Sequence, residues 1–113
     1  GSITFLGRGA RFINSGGEKL YPEEVEQALK THPAVYDCLV VAVPDGRFGE
    51  SVAALILINP GASLDEASVK AQVRAMLADY KAPRHYIQAP RVPRADNGKA
   101  DYKTAKVICL QAL

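Results

Sequence analysis

Tryptophan is absent, methionine occurs once, cysteine twice, and aromatic residues make up 7% of the chain. Basic residues without interleaved aromatics do not build the stacking groove that single-stranded nucleic acid needs. A net charge of +2 does not imply a polyanionic partner either, so no nucleic acid is expected. Cys38 and Cys109 stand in neither metal-ligand nor redox spacing, and no metal site is expected. Cys38 lies in the apolar run Cys38-Leu39-Val40-Val41-Ala42-Val43 and reads as a small buried hydrophobe. No apolar stretch reaches the roughly 18 residues of a membrane span, and no secretory signal is evident. Neither internal repeats nor low-complexity segments occur. Free thiols and the lack of a span point to the cytoplasm.

At 113 residues the chain has the size of one domain and can bury roughly 65% of its unfolded surface in a single core. A hydrophobic content of 48% beside 23% charged residues is that of a folded protein. Charge is unevenly spread: residues 1–79 carry seven basic and ten acidic side chains, residues 80–113 seven and two. The basic C-terminal stretch reads most simply as solvated surface, and it also suits contact with phosphate groups.

Residues 3–6 and 11–13 read as short strands joined at Gly7-Arg8-Gly9. Residues 22–31 read as a helix opened by Pro22, with Val25, Ala28 and Leu29 facing inward. Residues 35–43 and 51–58 are strands rich in Val, Leu, Ile and Ala. They form an antiparallel pair through Pro44-Asp45-Gly46-Arg47, with Phe48-Gly49 as a bend. Ser63-Leu64-Asp65-Glu66 reads as a capping box, and the helix behind it places Val69, Val73, Met76 and Leu77 on one face. Residues 86–89 read as a short edge strand and 103–113 as a last helix. The fold class is therefore α+β: a small, mainly antiparallel three-stranded sheet flanked by helices, plus a short N-terminal β-hairpin. Met76 and the aromatic residues are expected in or beside the core. His32 and His85 have no partner at catalytic spacing, and Glu23, Glu24 and Glu26 read as complements to a helix dipole.

Three segments carry chemistry. Pro93-Arg94-Ala95-Asp96-Asn97-Gly98-Lys99-Ala100 presents a lysine behind an Asn-Gly turn, where glycine takes positive φ without penalty. Such a turn fixes where Lys99 leaves the backbone and suits a cation aimed at developing negative charge. Gly7-Arg8-Gly9-Ala10-Arg11-Phe12-Ile13-Asn14-Ser15-Gly16-Gly17-Glu18-Lys19-Leu20-Tyr21-Pro22-Glu23-Glu24-Val25-Glu26 runs from a basic residue through a Ser-Gly-Gly loop into a helix start. Its double glycine admits close approach of a backbone to a ligand. Its spacing is not that of a phosphate-binding Walker loop. The third segment is Val43-Pro44-Asp45-Gly46-Arg47-Phe48-Gly49-Glu50.

In this order and spacing, the three segments resemble the C-terminal domain of the adenylate-forming superfamily, over residues 7 to about 106. The superfamily includes acyl-CoA synthetases, peptide-synthetase adenylation domains and luciferases, and Gly-Gly-Glu-Lys-x-x-Pro-Glu-Glu-Val-Glu is most similar to the fatty acyl-CoA synthetases. The resemblance implies a C-terminal domain over residues 11–113, with residues 1–10 as the end of an inter-domain linker; Gly1-Ser2 by itself reads as a tag remnant. It implies that Lys99 supplies the adenylation cation and Arg8 holds the ribose hydroxyls of the nucleotide. Ala10 takes the hinge position, and Gly16, Gly17, Glu18 and Lys19 border a tunnel for the pantetheine arm of coenzyme A. Arg74 lies where some relatives contact the CoA nucleotide. The implied ligands are a fatty acid, ATP, Mg2+ and coenzyme A, bound mainly by an N-terminal domain of the same enzyme, which is the implied partner. The fragment alone is expected to be inactive. Location is expected to be cytoplasmic, with peripheral membrane attachment of the full-length enzyme left open.

Two positions depart from the family pattern. Ala10 follows Gly9 where Asp or Lys is usual at the hinge, and the lysine loop reads Ala-Asp-Asn-Gly-Lys instead of Thr-x-Ser/Asn-Gly-Lys. Asp96 is expected to neutralise part of the charge on Lys99. Two other readings stand beside the acyl-CoA synthetase: the adenylation domain of a peptide or polyketide-type synthetase, and a stand-alone module that binds a nucleotide or an acyl carrier.

Overall fold

The computed structural model describes residues 12–15, 17–46, 49–77 and 81–113, and of Ser15 and Glu18 the backbone alone. The expected strand at 3–6, Gly7-Arg8-Gly9 and Arg11 lie outside the described residues. A hairpin does form at this end, one step further on. Strands β1 (Ile13–Ser15) and β2 (Glu18–Leu20) pair antiparallel, with Ile13 opposite Leu20. Gly17 lies in the connection between the two strands, with a φ of 87°. Helix α1 (Pro22–Lys30) follows, with proline in its first turn and the Glu24 carboxylate accepting from the Tyr21 amide at 3.0 Å.

Strands β3 (Val35–Asp45) and β4 (Gly49–Ile58) are the long antiparallel pair. Both run further into the connection than the turn residues predict. Pro44 is tolerated inside β3 because the strand is an edge, and a proline facing outward removes no ladder bond. Helix α2 (Glu66–Met76) is capped by Asp65, whose side chain accepts from the Ser68 amide at 3.2 Å, so the cap is Asp65 and not Ser63. Strand β5 (His85–Gln88) then lies parallel to β4, with Ala53 opposite His85 and Ile56 opposite Gln88. The three-stranded core is therefore mixed. Its last pairing is parallel because the chain crosses over through α2. Helix α3 (Tyr102–Ala112) closes the chain, capped by Asp101. The hairpin joins the sheet where Ser15 faces Gly49, giving five strands in all.

Period-2 alternation along β3 and β4 sorts the core into two layers. Cys38, Val40, Val52, Ala54 and Ile56 pack with Val25 and Leu29 of α1 and Val69 and Val73 of α2, joined by Ile13 and Leu20 of the hairpin. Leu39, Val41, Val43, Ala53 and Leu55 pack on the opposite face against Ala105 and Cys109 of α3, with Val92 and Ala100 beside them. The hairpin is thus rooted in the first layer and the lysine loop in the second. Met76 departs from its expected place, being 52% exposed. Its sulfur lies 3.4 Å from the Thr31 hydroxyl, which donates to the Ala28 carbonyl at 2.6 Å, at the polar margin where α1 meets α2. Tyr36 and Phe12 are also exposed.

Among the described residues no strand covers the outer edge of β3, and carboxylates take its place. The Val40 amide donates to Glu26 Oε2 at 2.9 Å, and the Cys38 amide donates to Asp37 Oδ1 at 2.9 Å. Tyr102 of α3 reaches round the same edge, its hydroxyl donating to Glu26 at 2.9 and 3.1 Å. Glu26 is thus no dipole complement: it is 8% exposed and bridges one helical layer to the other. Burial raises its carboxyl from the ordinary 4.5 to about 7, against the opposing hydrogen bonds from Val40 and Tyr102.

A raised acid favours the protonated fold. The stabilisation is fully present below the unfolded value and is lost as pH climbs through about 7. Glu26→Gln keeps an acceptor for Val40 and never ionises. Its stability relative to the parent chain is expected to improve by about 3 kcal/mol between pH 4.5 and pH 8.5. Urea unfolding at the two pH values checks this, and equal pH dependence in both proteins would show that Glu26 is not the titrating group.

Candidate functional site

The Lys99 loop is built as a closed turn. The Ala95 amide donates to the Lys99 carbonyl and the Gly98 amide to the Ala95 carbonyl, each at 2.8 Å. Asn97 Oδ1 accepts from the Lys99 amide at 3.1 Å, an Asx turn, and Gly98 has a φ of 84°. A Cβ at Gly98 would meet nothing within 4 Å, so the glycine is required by its dihedral and not by crowding. Arg94 and Ala100 pair across the base of the loop. The Asp101 amide donates to the Pro93 carbonyl at 3.1 Å, joining the loop to the start of α3. The backbone on both sides of Lys99 is held and its side chain is exposed. Among the described residues no ion pair joins Asp96 to Lys99.

Beneath the loop, Arg94 grips Asp37 of β3 with Nε at 3.0 Å from Oδ2 and Nη2 at 2.8 Å from Oδ1. Its remaining nitrogen donates to the Gly98 carbonyl at 3.3 Å, one residue before the lysine. Lys30, in the last turn of α1, completes the cluster 3.2 Å from Asp37 Oδ1. Partial burial alone would raise the Asp37 carboxyl, but the hydrogen bonds from Arg94, the Cys38 amide and Lys30 outweigh it and hold the group below its ordinary value.

The hairpin presents the other expected residues. Gly17 sits exposed at its turn with open space where a side chain would go. Lys19 lies over the Phe12 ring, 4.9 Å from its centroid, and Phe12 stacks edge-on to Tyr21. Arg74 is exposed in the last turn of α2. Arg8, Ala10 and Gly16, and the side chain of Glu18, lie outside the described residues. A groove of about 320 Å³ runs beside the open edge of β3, lined among the described residues by Phe12, Ile13, Pro22, Val40, Val41, Ala42, Glu50, Tyr102 and Lys106; of the expected site residues that are described, none lines it. Burial pushes the Cys38 thiol up to about 12 and the Cys109 thiol to about 11, so neither is a nucleophile near neutrality. His32 accepts from the Ala34 amide through Nδ1 and meets the Ser68 hydroxyl through Nε2, a structural histidine.

Reading the residues one by one missed Glu26, Asp37 and Arg94. Glu26 carried a signal, since it falls at helical spacing with Pro22 and Leu29 on the buried side of α1. Asp37 carried none, because its partner lies far away in sequence.

Residues 24–99 match the model of the AMP-binding enzyme C-terminal domain. The chain belongs to that family. It is 52% identical over 106 residues to the medium/long-chain-fatty-acid–CoA/3-oxocholest-4-en-26-oate–CoA ligase of Mycobacterium tuberculosis, covering 94% of this chain and 19% of that protein. Triostin synthetase I of Streptomyces triostinicus is 40% identical over 113 residues, with 99% and 21% covered. Among solved structures, an acyl-CoA synthetase of Brucella canis superposes with a TM-score of 0.86 at 28% identity, covering 94% of this chain and 20% of that one. The AMP-binding C-terminal domain here therefore spans about a fifth of the length of the relatives it matches.

Proposed function

We propose that this domain is the mobile C-terminal part of an ATP-dependent fatty acyl-CoA ligase, and that it serves both half-reactions from different surfaces. In the first, a carboxylate oxygen bonds to the α-phosphorus of ATP as the bond to pyrophosphate breaks. Two anions must meet, and a fixed cation between them lowers the barrier. Lys99 is that cation. What carries the reading is its turn: the backbone is locked on both sides while the ammonium stays unpaired among the described residues. A lysine is a compact point charge on an adjustable stem, which suits a contact shared by two oxygens.

In the second half-reaction the thiol of coenzyme A attacks the acyl carbon and AMP leaves. The Gly17 turn then borders the pantetheine arm, with Glu18 and Lys19 beside it, Arg74 toward the CoA nucleotide, Arg8 on the ribose and Ala10 at the pivot. The separate rooting of hairpin and lysine loop in the two core layers supports the division of labour. Coenzyme A is preferred to a carrier-borne thiol because the CoA ligases share more of this sequence than triostin synthetase I does. Mg2+ would accompany ATP in the other domain; among the described residues no three His, Cys, Asp or Glu converge to hold a metal. Among them, too, no helix is long and apolar enough to cross a membrane, and a cytoplasmic site of action fits the two free, buried thiols.

The isolated chain, holding one wall of the active site, is expected to give no ATP–pyrophosphate exchange with fatty acids above background. In a full-length ligase containing this domain, Lys99→Ala should lower adenylation by roughly 10² or more, about 3 kcal/mol, and spare the conversion of preformed acyl-AMP to acyl-CoA. Equal loss in both half-reactions would make Lys99 structural.

Gly17→Ala and Gly17→Leu separate strain from obstruction. Both carry the cost of a side chain at positive φ, about 1 kcal/mol, read as a similar drop in melting temperature. Only the leucine should let acyl-AMP accumulate without acyl-CoA. Normal acyl-CoA output from folded Gly17→Leu would remove this turn from the mechanism.

A further inference from the structure

Arg94 and Asp37 are a partly exposed ion pair of a kind that adds little to stability. Their geometry serves something else. The Asp37 carboxylate receives four donors: the Cys38 amide, Lys30, and two nitrogens of one guanidinium. Asp37 stands where the β3–β4 register shifts, between Val35 and Asp37, an irregularity that re-aims a side chain. The planar fork of Arg94 is thereby fixed in orientation. Its third nitrogen meets the Gly98 carbonyl, inside a loop whose two ends are Arg94 itself and Ala100. The turn's internal bonds set its shape, and the Arg94 fork sets its attitude to the sheet.

We propose that Asp37 and Arg94 are positioning residues for adenylation, holding the Lys99 turn at one angle to β3 so that the ammonium arrives between the two reacting anions. This rests on the role given to Lys99 above. Misplacement by about 1 Å at a reacting centre costs on the order of 10²-fold in rate, far more than the loss of a surface ion pair costs the fold.

The test uses a full-length ligase containing this domain, with Asp37→Ala, Arg94→Lys and Lys99→Ala made singly, and Asp37→Ala combined with Lys99→Ala. Arg94→Lys keeps charge and stem but cannot span Asp37 and Gly98 together. Each positioning variant should lower the kcat of ATP–pyrophosphate exchange by about 10- to 100-fold. Conversion of acyl-AMP to acyl-CoA should stay within about twofold of the parent. Asp37→Ala should have no further effect once Lys99 is alanine, because the two act as one unit. Full exchange activity in Asp37→Ala and Arg94→Lys, with Lys99→Ala inactive, overturns this inference and leaves the role of Lys99 standing. An additional loss from Asp37→Ala in the Lys99→Ala background, or equal loss in both half-reactions, also overturns it by showing a structural role. Undiminished exchange in Lys99→Ala overturns the reading beneath it.

Discussion

Two carboxylates along the outer edge of β3 hold the arrangement together. A strand with both faces buried and one edge unpaired leaves amides that need acceptors, and that edge invites pairing with another chain. Glu26 takes the Val40 amide and Asp37 the Cys38 amide. Each acid is then gripped from the far layer, Glu26 by Tyr102 and Asp37 by Arg94. Without these bridges the helical layers would be joined only through the sheet between them. With them, α1, β3, the lysine loop and α3 are also tied to one another by side chains.

Rigidity of this kind matters for a domain proposed to act in two orientations. A domain that swings must carry its functional groups unchanged from one position to the other, so whatever flexes has to lie outside it. The two groups in question stand on different foundations. Gly17 tops a hairpin whose Ile13 and Leu20 lie in the core layer shared by α1 and α2, whereas Lys99 stands between Val92 and Ala100, in the layer of α3. Neither foundation has to rearrange for the other to be used. The acids themselves differ in character. Glu26 is held by neutral donors and burial drives its carboxyl up toward neutrality, while charged donors hold that of Asp37 down. The first bridge is sensitive to pH near 7 and the second is not.

Much of this was legible in sequence where the cause is local. Apolar runs of Val, Leu, Ile and Ala gave β3 and β4, Pro22 marked the start of α1, and Asn97-Gly98 announced the turn before Lys99. The second hairpin strand escaped because Glu18-Lys19-Leu20 is short and polar and is defined by its partner. The parallel setting of β5 escaped because direction in a sheet follows from the crossover and not from the strand's own residues. Met76 was drawn inward by helical spacing, yet α2 ends where its face meets the polar tip of α1. Long-range polar pairs are the least legible of all. Nothing near Asp37 forecasts Arg94, and nothing near Glu26 forecasts Tyr102, because each pair exists only once the sheet edge brings them together.

The lysine loop shows why two cations five residues apart are of different type. Arg94 and Lys99 carry the same formal charge into one turn. An arginine can spend its charge bidentately on Asp37 and still donate to a carbonyl, because its five donors are fixed in a plane. A lysine there would meet one acceptor at a time and leave the turn free to tilt. For the role proposed for Lys99 the requirement reverses. An arginine would present a broad fork whose geometry must match two particular oxygens, whereas an ammonium offers equal attraction in every direction to whichever oxygens develop charge. The exchange of these two residues would conserve the net charge of the loop and lose both proposed functions, since one cation is wanted for its shape and the other for having none.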